Sequence, residues 1–406
     1  MRVAMIDPSL FTPAYDRALA TALAEGGHQV TLFSRRPRAE DGSMGDVPLV
    51  EAFYRLAGSP MVAGLPQRLR LGVKGLEHVW SMARLIARLR RLAPDVIHFQ
   101  WLALPLVDLR MLAGLRRIAP LVLTIHDTNP FNGDPSSRLQ FRGFAESLAQ
   151  FDRLVVHTSQ GEARLLAQGV PADRLVRVPH GAELAQRHLA DDAMQGEISF
   201  VLFGKIKPYK GADLLIEAFA RLPERLRDQA RLRIIGKPYM DLAPLHAAIG
   251  AHGLGERCTI EARYVAEAEI PAVFGPGRVA VFPYREIDSS GVLFQALACG
   301  RPVVASRIGS FAELLEGREA GLLTERDDIA GLAAAMARLI EDRGFAAQCG
   351  RGARALCAEA AGWDDVARRT AAVYLAASRA NAAASDGVSR ATEVSSSVTN
   401  STGGNC

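Results

Sequence analysis

The stretch FVLFGKIKPYKGADLLIEAF, residues 200–219, joins an apolar run to a helical pattern through a turn that contains three lysines. The apolar run ends at Gly204, and apolar residues then recur at the spacing of one helix face, which predicts a strand, a turn and a helix. Lysines between a strand end and a helix N-terminus suit a phosphate or diphosphate. A solvated basic turn would carry the same charge, but Gly204 and Gly211 allow a ligand close to the backbone and favour binding.

The same alternation of strand and helix extends over most of the chain. Five short runs rich in β-branched residues lie between residues 2 and 158, and five more lie between 198 and 306. Longer helical patterns separate these runs, and this order predicts parallel sheets covered by helices. A chain of 406 residues also exceeds what one hydrophobic core usually serves. We therefore predict an α/β fold with two doubly wound parallel-sheet domains.

Domain boundaries follow from the places where the apolar periodicity lapses. We predict a first domain at 1–180, a linker at 181–196, a second domain at 197–362, a last helix at 363–379 that can return to the first domain, and a disordered tail at 380–406. The tail is rich in small polar residues, so it has too little apolar surface to offset the entropy of ordering.

Composition places the chain among soluble globular enzymes, because 49% of its residues are apolar and 23% are charged. A net charge of +4 is too small over this length to indicate a nucleic-acid partner. The five cysteines are scattered without a CxxC pair, which favours a reducing compartment. No run reaches the roughly 18 apolar residues of a membrane span. We therefore expect a cytoplasmic protein.

Polar residues and glycines follow the predicted strands in both halves of the chain. They are Asp7, His126–Asp127, His180–Gly181, Gly204–Lys205, Gly236–Lys237 and the loop from Tyr284 to Gly291. Open parallel sheets bind ligands beyond the carboxyl ends of their strands. Two such rims facing each other across a linker predict a cleft between the domains.

A second informative stretch is YREIDSSGVLFQALACGRPVV, residues 284–304. Its residues Asp288, Ser289, Ser290 and Gly291 suit the N-cap of a helix, whose first amides would form a second anion site beside the lysine turn. An ordinary capped helix is the alternative interpretation of these four residues.

The order of these motifs resembles the retaining glycosyltransferases of family 4. The resemblance is carried by VPHG at 178–181, GKIKPYKGADLLIEAF at 204–219 and the stretch from YREIDSSG to SFAELL at 284–315. It is clearest over residues 176–360 and looser in the first domain. It implies the GT-B fold, in which two Rossmann-like domains face each other across a cleft, and a nucleotide-sugar donor.

The resemblance also implies roles for individual residues. Lys205 and Lys210 stand where the family neutralises the donor diphosphate, and His126 stands where a histidine faces the donor sugar. The expected catalytic residues are His126, Asp288 and Lys210, and the expected donor-binding residues are Gly204, Lys205, Lys210, Ser289, Ser290, Gly291, Val292 and Gln295. No metal or other cofactor is expected, because fixed cations can stabilise the leaving diphosphate.

Two features depart from the family pattern. The family has two glutamates separated by seven residues, whereas this chain has Gln295 at the second position and Ile287 at the first. The loop acid is then Asp288 or Glu286, and Asp288 is favoured because it directly precedes the serines. The chain also has DPSLFTPAYD, residues 7–16, where the family has a glycine-rich loop.

Residues 66–91 contain seven basic residues and the single acid Glu77, interleaved with apolar residues. This pattern predicts an amphipathic helix that either lies on an anionic membrane surface or packs its apolar side on the sheet. Membrane association would suit a lipid-linked acceptor at the inner face of the membrane.

The sequence thus predicts a glycosyltransferase that moves a hexose from a nucleotide diphosphate sugar to an acceptor hydroxyl with retention. The acceptor would be a sugar or a lipid-linked glycan, as in polysaccharide or glycolipid assembly, and no nucleic acid is expected. The alternatives are a sugar-nucleotide epimerase of similar fold and a non-catalytic nucleotide-sugar binder.

Overall fold

The computed structural model describes residues 1–129, 143–182, 194 and 196–400, with side chains up to residue 381 except at 63. The strands form two separate parallel sheets, one in each half of the chain. The predicted α/β class with two doubly wound domains is therefore confirmed.

The first sheet has seven parallel strands in the order β3-β2-β1-β4-β5-β6-β7. They are β1 (Arg2–Asp7), β2 (Gln29–Arg35), β3 (Leu49–Phe53), β4 (Val96–Phe99), β5 (Leu121–Ile125), β6 (Arg153–Val156) and β7 (Leu175–Arg177). Met5 of β1 pairs with Leu32 on one side and His98 on the other. The five inner strands are almost wholly buried, as expected for a parallel sheet covered on both faces, whereas the edge strands β3 and β7 are mostly half-buried.

The second sheet has six parallel strands in the order β10-β9-β8-β11-β12-β13. They are β8 (Ile198–Phe203), β9 (Ala230–Ile235), β10 (Cys258–Glu261), β11 (Arg278–Phe282), β12 (Val303–Ser306) and β13 (Gly321–Thr324). The strand order reverses between β8 and β11, which is where ligands bind in open sheets of this kind. The lysine turn after β8 and the acidic loop after β11 are therefore neighbours.

Helices cover both faces of each sheet. In the first half they are α1 (Pro13–Glu25), α2 (Pro60–Ala63), α3 (Gln67–Leu92), α4 (Pro105–Arg116), α5 (Phe144–Leu148) and α6 (Ser159–Ala167). In the second half they are α7 (Ala212–Ala220), α8 (Glu224–Arg227), α9 (Ala243–Ala251), α10 (Ile270–Val273), α11 (Gly291–Ala298), α12 (Gly309–Leu315), α13 (Ile329–Glu341), α14 (Arg343–Glu359) and α15 (Trp363–Asn400). Each sheet separates two apolar clusters, one on each face.

The last helix, α15, packs on the first domain. Val366, Val373 and Tyr374 belong to the apolar cluster that contains Val3 and Met5. The helix continues to Asn400, past residue 380, where the sequence predicts a disordered tail. Residues 401–406, and most of the predicted linker at 181–196, lie outside the described residues.

Helix α3 has an apolar buried side and an apolar exposed side. Met82, Leu85 and Leu89 are buried against the first sheet, as the packing interpretation predicts. Leu76 and Trp80 are 76% and 53% exposed, so membrane association stays a prediction. In the part of the chain that the structure describes, no helix is both long enough and apolar enough to cross a bilayer.

Candidate active site

A cleft of about 1680 Å³ lies between the carboxyl rims of the two sheets. Residues of both domains line it, as the sequence predicts. Six of the predicted site residues are among them: Gly204, Lys205, Lys210, Gly291, Val292 and Gln295.

Lysine is rare in this chain, and every lysine lines the cleft. The 48 basic residues include only five lysines, which are Lys74, Lys205, Lys207, Lys210 and Lys237. The sequence predicts the three lysines of the turn, and Lys237 after its strand, at the rim of the second sheet, whereas it gives Lys74 only as one of the basic residues at 66–91. The scarcity of lysine beside abundant arginine is the signal that would have set Lys74 apart.

Lys210 is a buried cation at the floor of the cleft. It ends a short turn, Pro208–Lys210, and its Nζ lies 5.0 Å from the centroid of the Tyr284 ring. Burial lowers the pKa of Lys210. Among the described residues no carboxylate forms an ion pair with it. A buried ammonium without a counterion favours an anionic ligand.

Two glycines make room for this lysine. A Cβ atom at Gly204, which has φ +114°, would lie 2.9 Å from the Lys210 Nζ. A Cβ atom at Gly211, which has φ +68°, would lie 2.0 Å from the Pro283 carbonyl oxygen. Only glycine therefore fits the strand end and the turn without displacing the lysine or the neighbouring loop.

Lys205 and Lys237 lie nearer the mouth of the cleft. Lys205 is exposed, with its Nζ 5.9 Å from the Tyr239 ring centroid. Although water reaches the side chain, the surrounding cleft walls displace part of its hydration and lower the pKa of Lys205, and the charges of Lys207 and Lys210 lower it further. Lys237 forms an ion pair with Glu40 of the first domain, so it joins the two walls.

Helix α11 begins at the cleft, with Ser290 at its N-cap position and Gly291 as its first residue. Gly291 and Val292 line the cleft, and the half-buried Gln295 lies one turn further along. The Gln295 Oε1 atom is buried and has no hydrogen-bond partner within the described residues. An amide oxygen left unpaired beside a cleft is available to a ligand hydroxyl.

Ser289 and Ser290 were predicted to bind the donor, but the structure places neither among the described residues that line the cleft. Ser290 is buried at the N-cap position, where its side chain forms no capping hydrogen bond. The Ser289 Oγ atom is also buried and has no partner among the described residues.

Asp288 contacts the first domain. Its Oδ2 accepts a hydrogen bond from the Thr128 amide, and its Oδ1 lies 3.4 Å from Arg164 Nη1. Glu286, the other candidate acid, lies 3.2 Å from the same Arg164 nitrogen. Asp288 does not cap α11, because Ser290 occupies the N-cap position and the Asp288 carboxylate accepts from the Thr128 amide of the first domain.

His126 lies at the rim of the first sheet, after β5, and is half-buried. Its Nε2 is 3.1 Å from Gln100 Oε1, and its Nδ1 is 3.4 Å from His157 Nε2. The Trp101 ring stacks on the His126 ring with 5.4 Å between centroids, and the Tyr15 ring meets it edge-on at 4.6 Å. Both ring nitrogens therefore contact neighbouring side chains, and the predicted role towards the donor sugar stays a prediction.

His126 belongs to a cluster of histidines at the ends of adjacent strands. His157 follows β6 and His180 follows β7, and Tyr15 packs against all three rings. Burial lowers the pKa of His126 well below its ordinary value, that of His157 to about 4 and that of His180 to about 3. These imidazoles are neutral at pH 7, so they act as hydrogen-bonding groups.

Two buried carboxyl groups, Asp7 and Asp16, hold the loop at residues 7–16. Asp7 accepts from the backbone amides of Ser9 at 3.2 Å and Phe11 at 2.6 Å. Burial raises the pKa of Asp7 to about 6, and burial and the Asp7 charge raise the pKa of Asp16 well above its ordinary value. The pair therefore takes up a proton at a higher pH than two exposed aspartates would. This arrangement replaces the glycine-rich loop and places Tyr15 on the cleft.

Two family models match the chain, one in each half. Residues 15–186 match the family described as Glycosyltransferase Family 4, and residues 197–342 match the one described as Glycosyl transferases group 1. The D-inositol 3-phosphate glycosyltransferase of Geodermatophilus obscurus is 32% identical over 319 residues, covering 72% of this chain and 68% of that protein. The glycogen synthase of Mycobacterium tuberculosis is 28% identical over 387 residues, covering 89% and 90%.

Among solved structures, HepE of Anabaena in complex with UDP and glucose has a TM-score of 0.71 at 17% identity, over 91% of this chain and 98% of that one. This likeness confirms the GT-B fold, with two Rossmann-like domains across a cleft. The chain therefore belongs to the glycosyltransferases of GT-B fold, with a first domain of the family 4 type and a second of the group 1 type.

Proposed function

We propose that this chain transfers a hexose from a nucleotide diphosphate sugar to an acceptor hydroxyl, with retention at the anomeric carbon. The observation that carries the proposal is Lys210, a buried cation without a carboxylate partner among the described residues, at the floor of a cleft between two Rossmann-like domains. HepE, which shares the fold, was solved with UDP and glucose, which supports a nucleotide sugar as the donor.

In the proposed reaction the bond between the anomeric carbon and the donor diphosphate breaks, the acceptor oxygen bonds to that carbon, and its proton passes to the leaving diphosphate, on which negative charge develops. Lys210 and Lys205 would stabilise that charge, together with the first amides of α11 at Gly291 and Val292. Fixed cations can fill this role without a metal ion. Undiminished transfer after treatment with a chelator is the expected result.

Gln295 would bind the ribose hydroxyls of the donor. A glutamine oxygen accepts one hydrogen bond while its amide donates another, so no carboxylate is needed for this task. Gln295→Glu should therefore keep both folding and donor binding. Loss of folding in that variant would show that the position tolerates no charge and faces the core.

The acceptor would be a sugar or a lipid-linked glycan, in polysaccharide or glycolipid assembly at the inner face of the membrane. One relative is named for D-inositol 3-phosphate and another for glycogen, so their names do not select an acceptor. The exposed Leu76 and Trp80 of α3, beside its basic residues, support association with an anionic membrane.

Two measurements test the proposal. Thermal melts with UDP, GDP and ADP identify the base, because a ligand that binds only the folded state raises the melting temperature. Release of nucleoside diphosphate that requires an acceptor then separates a transferase from the alternatives. An epimerase would convert donor without acceptor, and a non-catalytic binder would release nothing. The anomeric configuration of the product tests retention.

A further inference from the structure

Lys74 is the lysine of the cleft that belongs to the first domain. It lies on α3, half-buried, with its Nζ 4.7 Å from the Tyr54 ring centroid. Burial lowers the pKa of Lys74, and the charges of Arg38 and Arg35 lower it further. No carboxylate of the described residues forms an ion pair with it. Lys74 is thus a cation in a positive field without a counterion.

The first-domain wall of the cleft carries more cations than carboxylates. Six cations line it, which are Arg17, Arg35, Arg36, Arg38, Arg55 and Lys74, against the four carboxylates Glu25, Glu40, Asp41 and Glu51. Asp41 binds Arg35 through both oxygens, at 2.7 and 2.8 Å, and Glu40 pairs with Lys237 across the cleft. These acids neutralise other cations, and the positive charge at Lys74 remains.

The same helix that presents Lys74 also fixes the turn beside it. Tyr54 has φ +54°, a conformation that costs free energy for a residue with a side chain. Its hydroxyl is held by His78 Nδ1 at 2.7 Å, and the two Glu77 oxygens accept from backbone amides of the turn at residues 54–57, at 2.8 and 2.7 Å. Lys74, Glu77 and His78 share one side of the helix. The wall is therefore built in advance of binding, which lowers the cost of binding.

We propose that this wall binds a phosphate group of the acceptor, with Lys74 as its contacting cation. A phosphate monoester carries a charge of about −1.5 to −2 near pH 7. This charge balances the excess of two cations on the wall better than the single negative charge of a carboxylate would. That this phosphate belongs to an acceptor rests on the proposed function, but binding of phosphate at Lys74 can be measured without turnover.

Because the chain contains only five lysines, the reactivity of Lys74 can be measured separately from that of each of the others. Reductive methylation of the full chain, followed by mass spectrometry, gives the methylation rate of Lys74 and of each of the other four lysines. The N-terminal amine serves as the internal reference. The probes are inorganic phosphate and glycerol 3-phosphate, each against chloride at equal ionic strength, and vesicles that contain phosphatidic acid, a lipid phosphate monoester, against phosphatidylcholine vesicles. A probe that occupies the site for about nine-tenths of the time slows methylation of Lys74 about tenfold, because only the free state reacts.

Protection by glycerol 3-phosphate assigns the site to a soluble phosphorylated acceptor, and protection by the anionic vesicles alone assigns it to a lipid headgroup. Equal methylation of Lys74 under all conditions overturns the proposal. In thermal melts, phosphate should stabilise wild type, Lys74→Arg and Arg225→Gln, an exposed control paired with Glu341, more than it stabilises Lys74→Gln, whose remaining shift comes from the donor site. If UDP, GDP and ADP all fail to protect Lys205 and Lys210, the proposed function is wrong, and the result at Lys74 is unaffected.

Discussion

Replacing Lys210 with methionine separates the effect of this cation on the fold from its effect on the donor. Methionine keeps most of the length of the side chain and removes the charge. The variant loses the attraction to the Tyr284 ring at 5.0 Å, about 0.5–2 kcal/mol, and also loses the cost of burying an ammonium without a counterion. These two contributions oppose each other, so the free energy of unfolding of the empty protein should stay near the wild-type value or rise.

Donor binding should respond in the opposite direction. Loss of a hydrogen bond to a charged group costs about 1.5–3 kcal/mol, which corresponds to roughly a tenfold to hundredfold weaker Kd. Calorimetric titration with the nucleotide that raises the melting temperature most would measure this change. Lys205→Met is the matched comparison, and it should weaken binding less because Lys205 is exposed.

The two readouts together can refute the assignment. If Lys210→Met melts several degrees earlier and binds the nucleotide as tightly as wild type, Lys210 supports the fold and not the donor. If Lys210→Met and Lys205→Met weaken nucleotide binding equally, the burial of Lys210 does not make it the stronger of the two contacts with the donor.

Three further substitutions test other contacts. Asp288→Asn keeps an acceptor for the Thr128 amide but loses the ion pair with Arg164, so transfer should slow while the melting temperature changes little; undiminished transfer would leave Asp288 a contact between domains only. Asp16→Asn removes a group that can ionise. Because the pKa of Asp16 is raised in the folded state, the free energy of unfolding of wild type should fall relative to that of this variant as pH rises towards that pKa, by up to about 1.4 kcal/mol per pH unit. Melts from about pH 5 to about pH 8 test this, and a difference that does not change with pH contradicts a raised pKa. Trp80→Glu should reduce sedimentation with anionic vesicles at low salt, where each basic residue contributes about 1 kcal/mol; equal sedimentation of wild type with anionic and neutral vesicles would exclude the membrane interpretation.

The strands and the lysine turn could be predicted because their signals are local. A buried strand, Gly204 and the apolar face of the following helix lie within twenty residues, and each is readable from neighbours in the sequence. The strand order then brings the rims together, since the ends of parallel strands meet at one edge of a sheet. The cleft therefore followed from periodicity and from what stands after each strand.

The parts of the site that escaped prediction depend on contacts between distant residues. Asp288 has the features of a helix cap in its own loop, but its partner Thr128 lies 160 residues earlier in the chain. Tyr15 has the features of a helix residue, yet it covers three histidines from three strands. The sequence shows Lys74 only as one of several basic residues on an amphipathic helix, because its lack of a carboxylate partner among the described residues is visible only in the folded chain.

Helix α15 completes the first domain, although it follows the whole second domain in the chain. Val366, Val373 and Tyr374 fill the cluster around Val3 and Met5, so this part of the core stays open on the ribosome until the second domain has emerged. At about 5–20 residues per second, the roughly 200 intervening residues take on the order of 10–40 s. During that time the nascent chain exposes an apolar surface that a holding chaperone can bind. Residues 1–180 produced alone would keep that surface open, and a fusion that supplies residues 363–380 would close it.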